Sequence, residues 1–147
     1  MTETHTRLTL AEIQQIHQRH GSGYLASIAQ LPAEEQARWA QAQGYARVQD
    51  LLAHLLAWYD ETTRLVPGML RGERKPFGYE SVDAFNAAAI ARYRDCTRAQ
   101  VEAEYVRARD DFDAMLAGLS PDAVDNDRAY RWLYATAVEH YEEHRLP

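Results

Sequence analysis

Three histidines have the spacing and the neighbours expected of a metal site. His140 and His144 stand four residues apart near the end of the chain, so a helix would place them one above the other on one face. His54 lies in the middle of an apolar run, Val48 to Tyr59. Neutral imidazole binds zinc, nickel, iron or copper, and three protein ligands leave one coordination position open. The hypothesis is that His54, His140 and His144 meet across two helices and hold one divalent metal ion.

Spacing alone leaves other interpretations open. A His-x-x-x-His pair can arise by chance, and a lone helical histidine such as His54 can be a satisfied core residue. The residue after His140 is tyrosine, so the His-Glu-x-x-His pattern of metalloproteases is absent. The neighbouring glutamates are expected to be solvated, although one of them could orient an imidazole. They are Glu139, Glu142 and Glu143.

Other reactive side chains give weaker indications, and no catalytic residue is assigned. His17 and His20 are expected to be solvated or partly buried. Cys96 is the one cysteine and has no evident base beside it, so we expect a non-catalytic thiol. The side chains that could line a pocket are Trp58, Tyr59, Tyr141 and Asn86. Alternatively, the three aromatic residues could be ordinary core residues, and Asn86 could be an ordinary surface residue.

Composition restricts the class of protein. The chain has 147 residues, which predicts one domain over 1–147 with a sizeable core. A net charge of −6 argues against a nucleic-acid-binding surface. The longest apolar run, Leu51 to Tyr59, is too short for a membrane span, and Met1–Arg7 does not resemble a signal peptide. We therefore expect a cytoplasmic protein, and the excess of arginine over lysine suggests a bacterial source.

The elements that must position the histidines are helices. Thr9–Glu12 and Thr97–Gln100 both read as capping boxes, in which a threonine and a residue three positions later satisfy each other's backbone N–H groups. Apolar residues recur at helical spacing after each box. Gly21 and Gly23 predict a weak point in the first helix, and Leu31-Pro32 ends it.

The remaining helices follow the same signals. The second main helix is predicted from about Arg47 to the Pro67-Gly68 region, a short extra helix from Ser81, a third main helix from Thr97 to Gly118, and a final helix from about Ala129 to Arg145. A short turn of helix is expected at 32–35. Residues 68–81 are predicted to be irregular, either a solvated loop or a functional lid. Without any strand pattern, this predicts an all-α antiparallel four-helix bundle with a short extra helix before the third main helix.

Two segments resemble a known family. The run from Val48 to Trp58 is similar to the second-helix motif of the DinB-like four-helix-bundle superfamily. Ser81–Ala87 and the closing Glu139–His144 resemble its ClbS/DfsB branch more narrowly. In that superfamily the corresponding histidines bind a divalent metal, commonly zinc or nickel. The resemblance implies the same role for His54, His140 and His144.

The resemblance leaves three functions open. The first is a metal-dependent hydrolase or thiol transferase that acts on a small reactive molecule. The second is a non-catalytic protein that sequesters a small molecule for self-protection. The third is a vestigial bundle that serves only as a dimer module. Relatives in the superfamily are often homodimers, and a homodimer is expected here.

Overall fold

A computed structural model of the chain describes residues 6–147. The prediction that Met1–Arg7 carries no signal peptide therefore falls largely outside the described residues. The all-α prediction is confirmed, because 74% of the chain is helical and the described part contains no strand. Among residues 6–147, no helix combines the length and the apolar character needed to cross a lipid bilayer.

The N-terminal third of the described chain forms three short helices. They are α1 (Leu10–Gly21), α2 (Tyr24–Gln30) and α3 (Ala33–Ala42). The predicted weak point at Gly21 and Gly23 is a real break between α1 and α2. The short turn predicted at 32–35 is wrong in length, since α3 spans ten residues. Trp39 of α3 is buried and its indole N–H donates to the Arg145 carbonyl, so tertiary contacts extend this helix.

The remaining elements complete the bundle. They are α4 (Val48–Leu70), α5 (Val82–Arg92), α6 (Arg98–Ala117), a 3₁₀ turn (Pro121–Asp125), α7 (Asp127–Tyr134), a π-helical segment (Ala135–Glu139) and α8 (His140–Glu143). Pro67 lies inside α4, which continues three residues beyond it. Both predicted capping boxes are present: Thr9 accepts from the Glu12 N–H at 3.1 Å, and Thr97 accepts from the Gln100 N–H at 3.1 Å.

Contacts across the bundle define its directions. Asp60 of α4 pairs with Arg107 of α6, and Arg47 before α4 reaches the Arg94 carbonyl before α6, so these two helices run in the same direction. The first helix α1 runs parallel to α7 and α8, since Leu8 contacts Tyr130 and Tyr24 contacts His144. These helices run opposite to α4, since His54 lies near His140 and Thr62 contacts Thr136. The segment 71–97 with α5 therefore crosses from one end of the bundle to the other. It places α5 beside α4, where Asn86 contacts His54.

The core lies between α1, α4, α6 and the final pair of helices, α7 and α8. Its apolar side chains repeat at three- and four-residue spacing, and the most extensive helix contact is between α4 and α6. Fully buried members include Leu51, Leu55, Phe112 and Leu133. Because α4 is buried over most of its length, its polar residues that face inward, such as His54 and Thr62, must find partners inside the protein.

Candidate functional site

The three predicted histidines lie together at one end of the bundle. His54 comes from the second turn of α4, while His140 opens α8 and His144 follows it. The His54 ring centroid is 5.2 Å from that of His140 and 5.2 Å from that of His144. The His140 and His144 centroids are 6.3 Å apart. Residues separated by about ninety positions in the sequence thus form one cluster of imidazoles.

These distances can be compared with those of a tetrahedral metal site. With Zn–N bonds of about 2.0–2.1 Å, the ring centroids of two histidines on one ion lie roughly 5 Å apart. Both pairs that include His54 match this value, and the His140–His144 pair is about 1 Å wider. Accordingly, no set of three His, Cys, Asp or Glu side chains within residues 6–147 is already arranged as a finished metal site.

Asn86 of α5 fixes the protonation pattern of His54. The Trp58 indole N–H can only donate, and it lies 2.8 Å from the Asn86 side chain, so the atom it meets is the amide oxygen Oδ1. The same oxygen is 2.9 Å from His54 Nδ1. An oxygen of this kind only accepts, so His54 Nδ1 carries the proton. This leaves the Nε2 lone pair of His54 free, as metal ligation requires.

His144 is held from the opposite side of the cluster. Its Nδ1 lies 2.9 Å from Oε1 of Gln43, the residue that follows α3. Its backbone carbonyl accepts a 2.7 Å hydrogen bond from the buried Tyr24 hydroxyl. With Nδ1 donating to Gln43, Nε2 of His144 is the free nitrogen, as in His54. Within the described residues, neither ring nitrogen of His140 has a hydrogen-bond partner, which leaves that ring free to adjust.

Burial keeps the three imidazoles neutral. It lowers the pKa of His54 to about 4, with a further contribution from His144 that the Asn86 hydrogen bond partly offsets. Burial also lowers the pKa of His140 to about 3, and the neighbouring His54 and His144 add to the effect. The pKa of His144 is lowered by burial as well. Neutral imidazole is the form that binds metal, so the cluster does not have to lose protons at neutral pH.

Tyr45 packs over the cluster from the loop before α4. Its ring lies 5.2 Å from that of His54 and 6.0 Å from that of His144. Burial, with a smaller effect of Glu143, raises the pKa of Tyr45 to about 12. The hydroxyl is therefore protonated at neutral pH and remains a potential hydrogen-bond donor beside the histidines.

A π-helical segment, Ala135–Glu139, directly precedes His140. A π turn holds one residue more than an α turn, so it changes which side chains of the following turn face the bundle. Side chains on both sides of the segment are buried, Leu133 before it and Tyr141 and His144 after it. A helix-wheel projection assumes a uniform rotation of 100° per residue, and this assumption is wrong at 135–139.

A pocket of about 420 Å³ opens beside the cluster. His140 belongs to both, and the Trp58 ring lies 6.0 Å from it. The other aromatic walls are Phe77 and Trp132, which lie 5.9 Å and 5.6 Å from Trp58. The irregular segment predicted at 68–81 begins only after α4, at residue 71. Phe77 comes from this segment, so part of it lines the pocket. A molecule in the pocket would lie against the histidine cluster.

Two of the aromatics considered for the pocket lie elsewhere. Tyr59 and Tyr141 are buried and their hydroxyls hydrogen-bond to each other, and Tyr141 bonds to Tyr105 as well. Tyr59 also meets His17 Nε2 at 2.7 Å, while His17 Nδ1 pairs with Asp113 at 2.8 Å. The expectation that His17 is solvated or partly buried is therefore wrong. Its side chain is fully enclosed because this chain of polar groups satisfies both ring nitrogens.

The structure also tests the remaining residues singled out in the sequence and adds three that were not. Glu139, Glu142 and Glu143 are exposed, as expected of solvated residues. Cys96 is a free, partly buried thiol. Sequence reasoning missed Gln43, Phe77 and Trp132. The four-residue steps Trp132, Thr136 and His140 offered a signal for one pocket wall, whereas Gln43 and Phe77 lie outside any periodic pattern.

Comparisons with known proteins concern the chain as a whole. A family model described as the DinB superfamily matches residues 16–146. This range covers all three histidines and every residue named above as lining the pocket. No curated protein and no solved structure matches the chain.

Proposed function

The chain belongs to the DinB superfamily, and we propose that it is a metal-dependent enzyme acting on a small reactive molecule. In this proposal His54, His140 and His144 hold one divalent ion, zinc or nickel. The observation that carries the proposal is the cluster of three neutral imidazoles, two of which hold Nδ1 against an amide oxygen and keep Nε2 free. Metal-binding histidines in proteins are characteristically oriented through the second ring nitrogen in this way.

The composition of the pocket supports a reaction centred on the metal. Of the described residues that line it, none is a carboxylate, a serine or a cysteine. Thr136 lines it, but its hydroxyl is engaged with Thr62 at 2.6 Å. When bound, the ion would supply Lewis acidity that activates water or a thiol for attack on a small electrophile. The protein's own residues orient the imidazoles, exclude bulk water through the aromatic walls and position the substrate beside His140.

The ligand geometry also limits what each residue can do in the reaction. His54 donates its Nδ1 proton to Asn86, which also accepts from Trp58, so His54 is poorly placed to shuttle protons. His140 has no such partner among the described residues and lines the pocket. The Tyr45 hydroxyl retains its proton at neutral pH. It is a candidate donor for negative charge that develops near the histidines.

Metal titration of tag-free protein tests the proposal. Apo protein should take up one equivalent of Zn²⁺ or Ni²⁺, with a rise in melting temperature because the ion binds only the folded state. His54→Ala, His140→Ala and His144→Ala should each weaken binding by about 100-fold or more, since two imidazoles remain. His20→Ala is the matched control and should bind as the parent does. If His140→Ala binds one ion as tightly as the parent, the three-histidine site is wrong.

Turnover assays distinguish the two reaction classes. A hydrolase should release 4-nitrophenol from 4-nitrophenyl acetate only when loaded with metal. A thiol transferase should require metal and a low-molecular-weight thiol to consume 1-chloro-2,4-dinitrobenzene. Sequestration is the alternative that the apolar pocket also permits. Tight stoichiometric binding of such molecules, without turnover in either assay, would favour it.

A further inference from the structure

The pocket beside His140 has an apolar lining with one charged residue. Arg131 lines it and is exposed, so it lies at the opening. The walls are the rings of Trp58, Phe77 and Trp132. No acidic residue lines the pocket among the described residues, although the whole chain has a net charge of −6. The charge at this opening is therefore opposite to that of the protein as a whole.

Within residues 6–147, no carboxylate lies within salt-bridge distance of the Arg131 guanidinium. Asp127, one turn earlier on α7, is paired with Arg7 and has only a weaker, longer-range attraction to Arg131. A guanidinium offers five N–H donors in a planar fork that fits a carboxylate in a bidentate manner. At the mouth of an apolar cavity, this donor set favours a ligand that carries an anionic group.

The aromatic walls specify the shape of the rest of the ligand. The Trp58 and Phe77 rings are nearly parallel, at 17°, and the Trp132 ring lies 5.6 Å from Trp58 at 44°. Indole and phenyl faces favour flat, polarisable groups that stack against them or meet them edge-on. A volume of about 420 Å³ is within the range of small-molecule pockets, roughly 300–1,000 Å³. A ligand with one or two fused rings matches this space.

Exposed apolar side chains mark the same opening. Among residues 6–147, the large hydrophobic side chains with high exposure are Tyr79 at 45% and Val82 at 56%. Val82 lines the pocket, and the Tyr79 ring lies 5.5 Å from that of Phe77. Val82 therefore borders the entrance, whereas Tyr79 packs against the wall residue Phe77 without lining the pocket. Apolar surface that collects at the mouth of a pocket is typical of a ligand-binding site.

We propose that this pocket binds a flat, mostly apolar organic anion, with its rings against Trp58 and Trp132 and its anionic group on Arg131. Such a ligand would place its far end beside His140. Its role as the substrate rests on the proposed function, but its binding does not require the metal. The two proposals can therefore fail separately.

Calorimetric titration of metal-free protein with two matched probes tests the inference. The probes are 2-naphthoate and its neutral analogue 2-naphthamide. The naphthoate should bind more tightly to the parent, and Arg131→Gln should weaken its binding about tenfold or more, because a charge-assisted contact is lost. The same substitution should change naphthamide binding less than threefold. Arg128→Gln, on the same helix but outside the pocket, is the matched control and should behave as the parent does.

Two further variants separate the possible outcomes. Trp132→Leu should weaken both probes, since it removes a ring from the wall. His144→Ala removes a proposed metal ligand that does not line the pocket, and it should retain naphthoate binding within threefold even if metal binding is lost. Circular dichroism verifies that each variant is folded. Equal affinity of the parent for both probes, naphthoate binding that is insensitive to Arg131→Gln, or no binding of either probe at millimolar concentration would overturn the proposal.

Discussion

The Asn86 side-chain oxygen lies 2.9 Å from His54 Nδ1, although the two residues belong to different helices and are 32 positions apart. The same oxygen accepts from Trp58, a pocket wall. One amide thus connects the orientation of an imidazole in the cluster with the position of an aromatic ring in the pocket. α5, which supplies Asn86, is the short helix in the crossover between α4 and α6.

Asn86→Ala should weaken metal binding by about 10- to 100-fold, because His54 would lose the group that fixes its tautomer and ring orientation. Competition against a metal-sensitive dye measures the change. Asn86→Asp preserves an acceptor at the same place and should retain most of the affinity. An alanine variant that binds zinc and nickel as the parent does would show that Asn86 does not support a ligand.

The metal-free protein should lose stability as the pH falls below about 6.5, the pKa of an unperturbed histidine. The cluster histidines have folded-state pKa values lowered to about 4 for His54 and about 3 for His140, whereas in the unfolded chain they titrate near 6.5. The unfolded state therefore binds protons first, and each such group removes up to about 1.4 kcal/mol of stability per pH unit between roughly 6.5 and 4.

Urea denaturation at pH 7.5 and at pH 5 measures this effect, and the interval avoids most carboxylate titration. His54→Gln cannot take up the proton and should lose less stability between the two pH values than the parent. His20→Gln, outside the cluster, is the matched control for replacing one histidine by glutamine. If parent and His54→Gln respond identically, the lowered pKa of His54 is contradicted.

Tyr59→Phe should destabilise the protein by about 1–3 kcal/mol, because it leaves a nitrogen of buried His17 and the Tyr141 hydroxyl without one partner. Chemical denaturation gives the free energy of unfolding. Tyr134→Phe is the control, since the Tyr134 hydroxyl makes no hydrogen bond within the described residues. Equal stability of the two variants would mean that the buried polar chain contributes nothing.

Thr97→Ala should cost about 1 kcal/mol by removing the cap of α6, whose first-turn N–H groups would lose a side-chain acceptor. Thr6→Ala, in the exposed segment before α1, replaces the same residue type without removing a cap. Thermal denaturation of both variants makes the comparison. A melting temperature for Thr97→Ala equal to that of Thr6→Ala would contradict the role of the capping box.

Much of this arrangement follows from local patterns. Thr9 and Thr97 cap two helices through hydrogen bonds within one turn, so the sequence predicts where these helices begin. His140 and His144 share a face because four residues separate them. The metal role of the three histidines came from a family resemblance, and their proximity to one another depends on the packing of α4 against α8.

What the sequence did not reveal depends on contacts between distant segments. Gln43 reaches His144 only because α3 packs against the end of the chain, and Phe77 enters the pocket from an irregular segment. No periodic pattern in the sequence indicates the π-helical segment. The expected homodimer and the ClbS/DfsB branch stay predictions. Sedimentation at high protein concentration would test the first, and a mass near 17 kDa would count against it.

The π turn at 135–139 decides which way the end of the chain faces. It holds one residue more than an α turn, so if the same residues wound as a regular α-helix, the last two histidines would turn by about 100° around the helix. The earlier contacts of α7, such as the burial of Leu133, would be unchanged. Deleting one residue within 135–139 would instead convert the π turn into an α turn and keep both histidines on the side that faces His54. The chain can therefore lose a residue at this place without losing its histidine cluster.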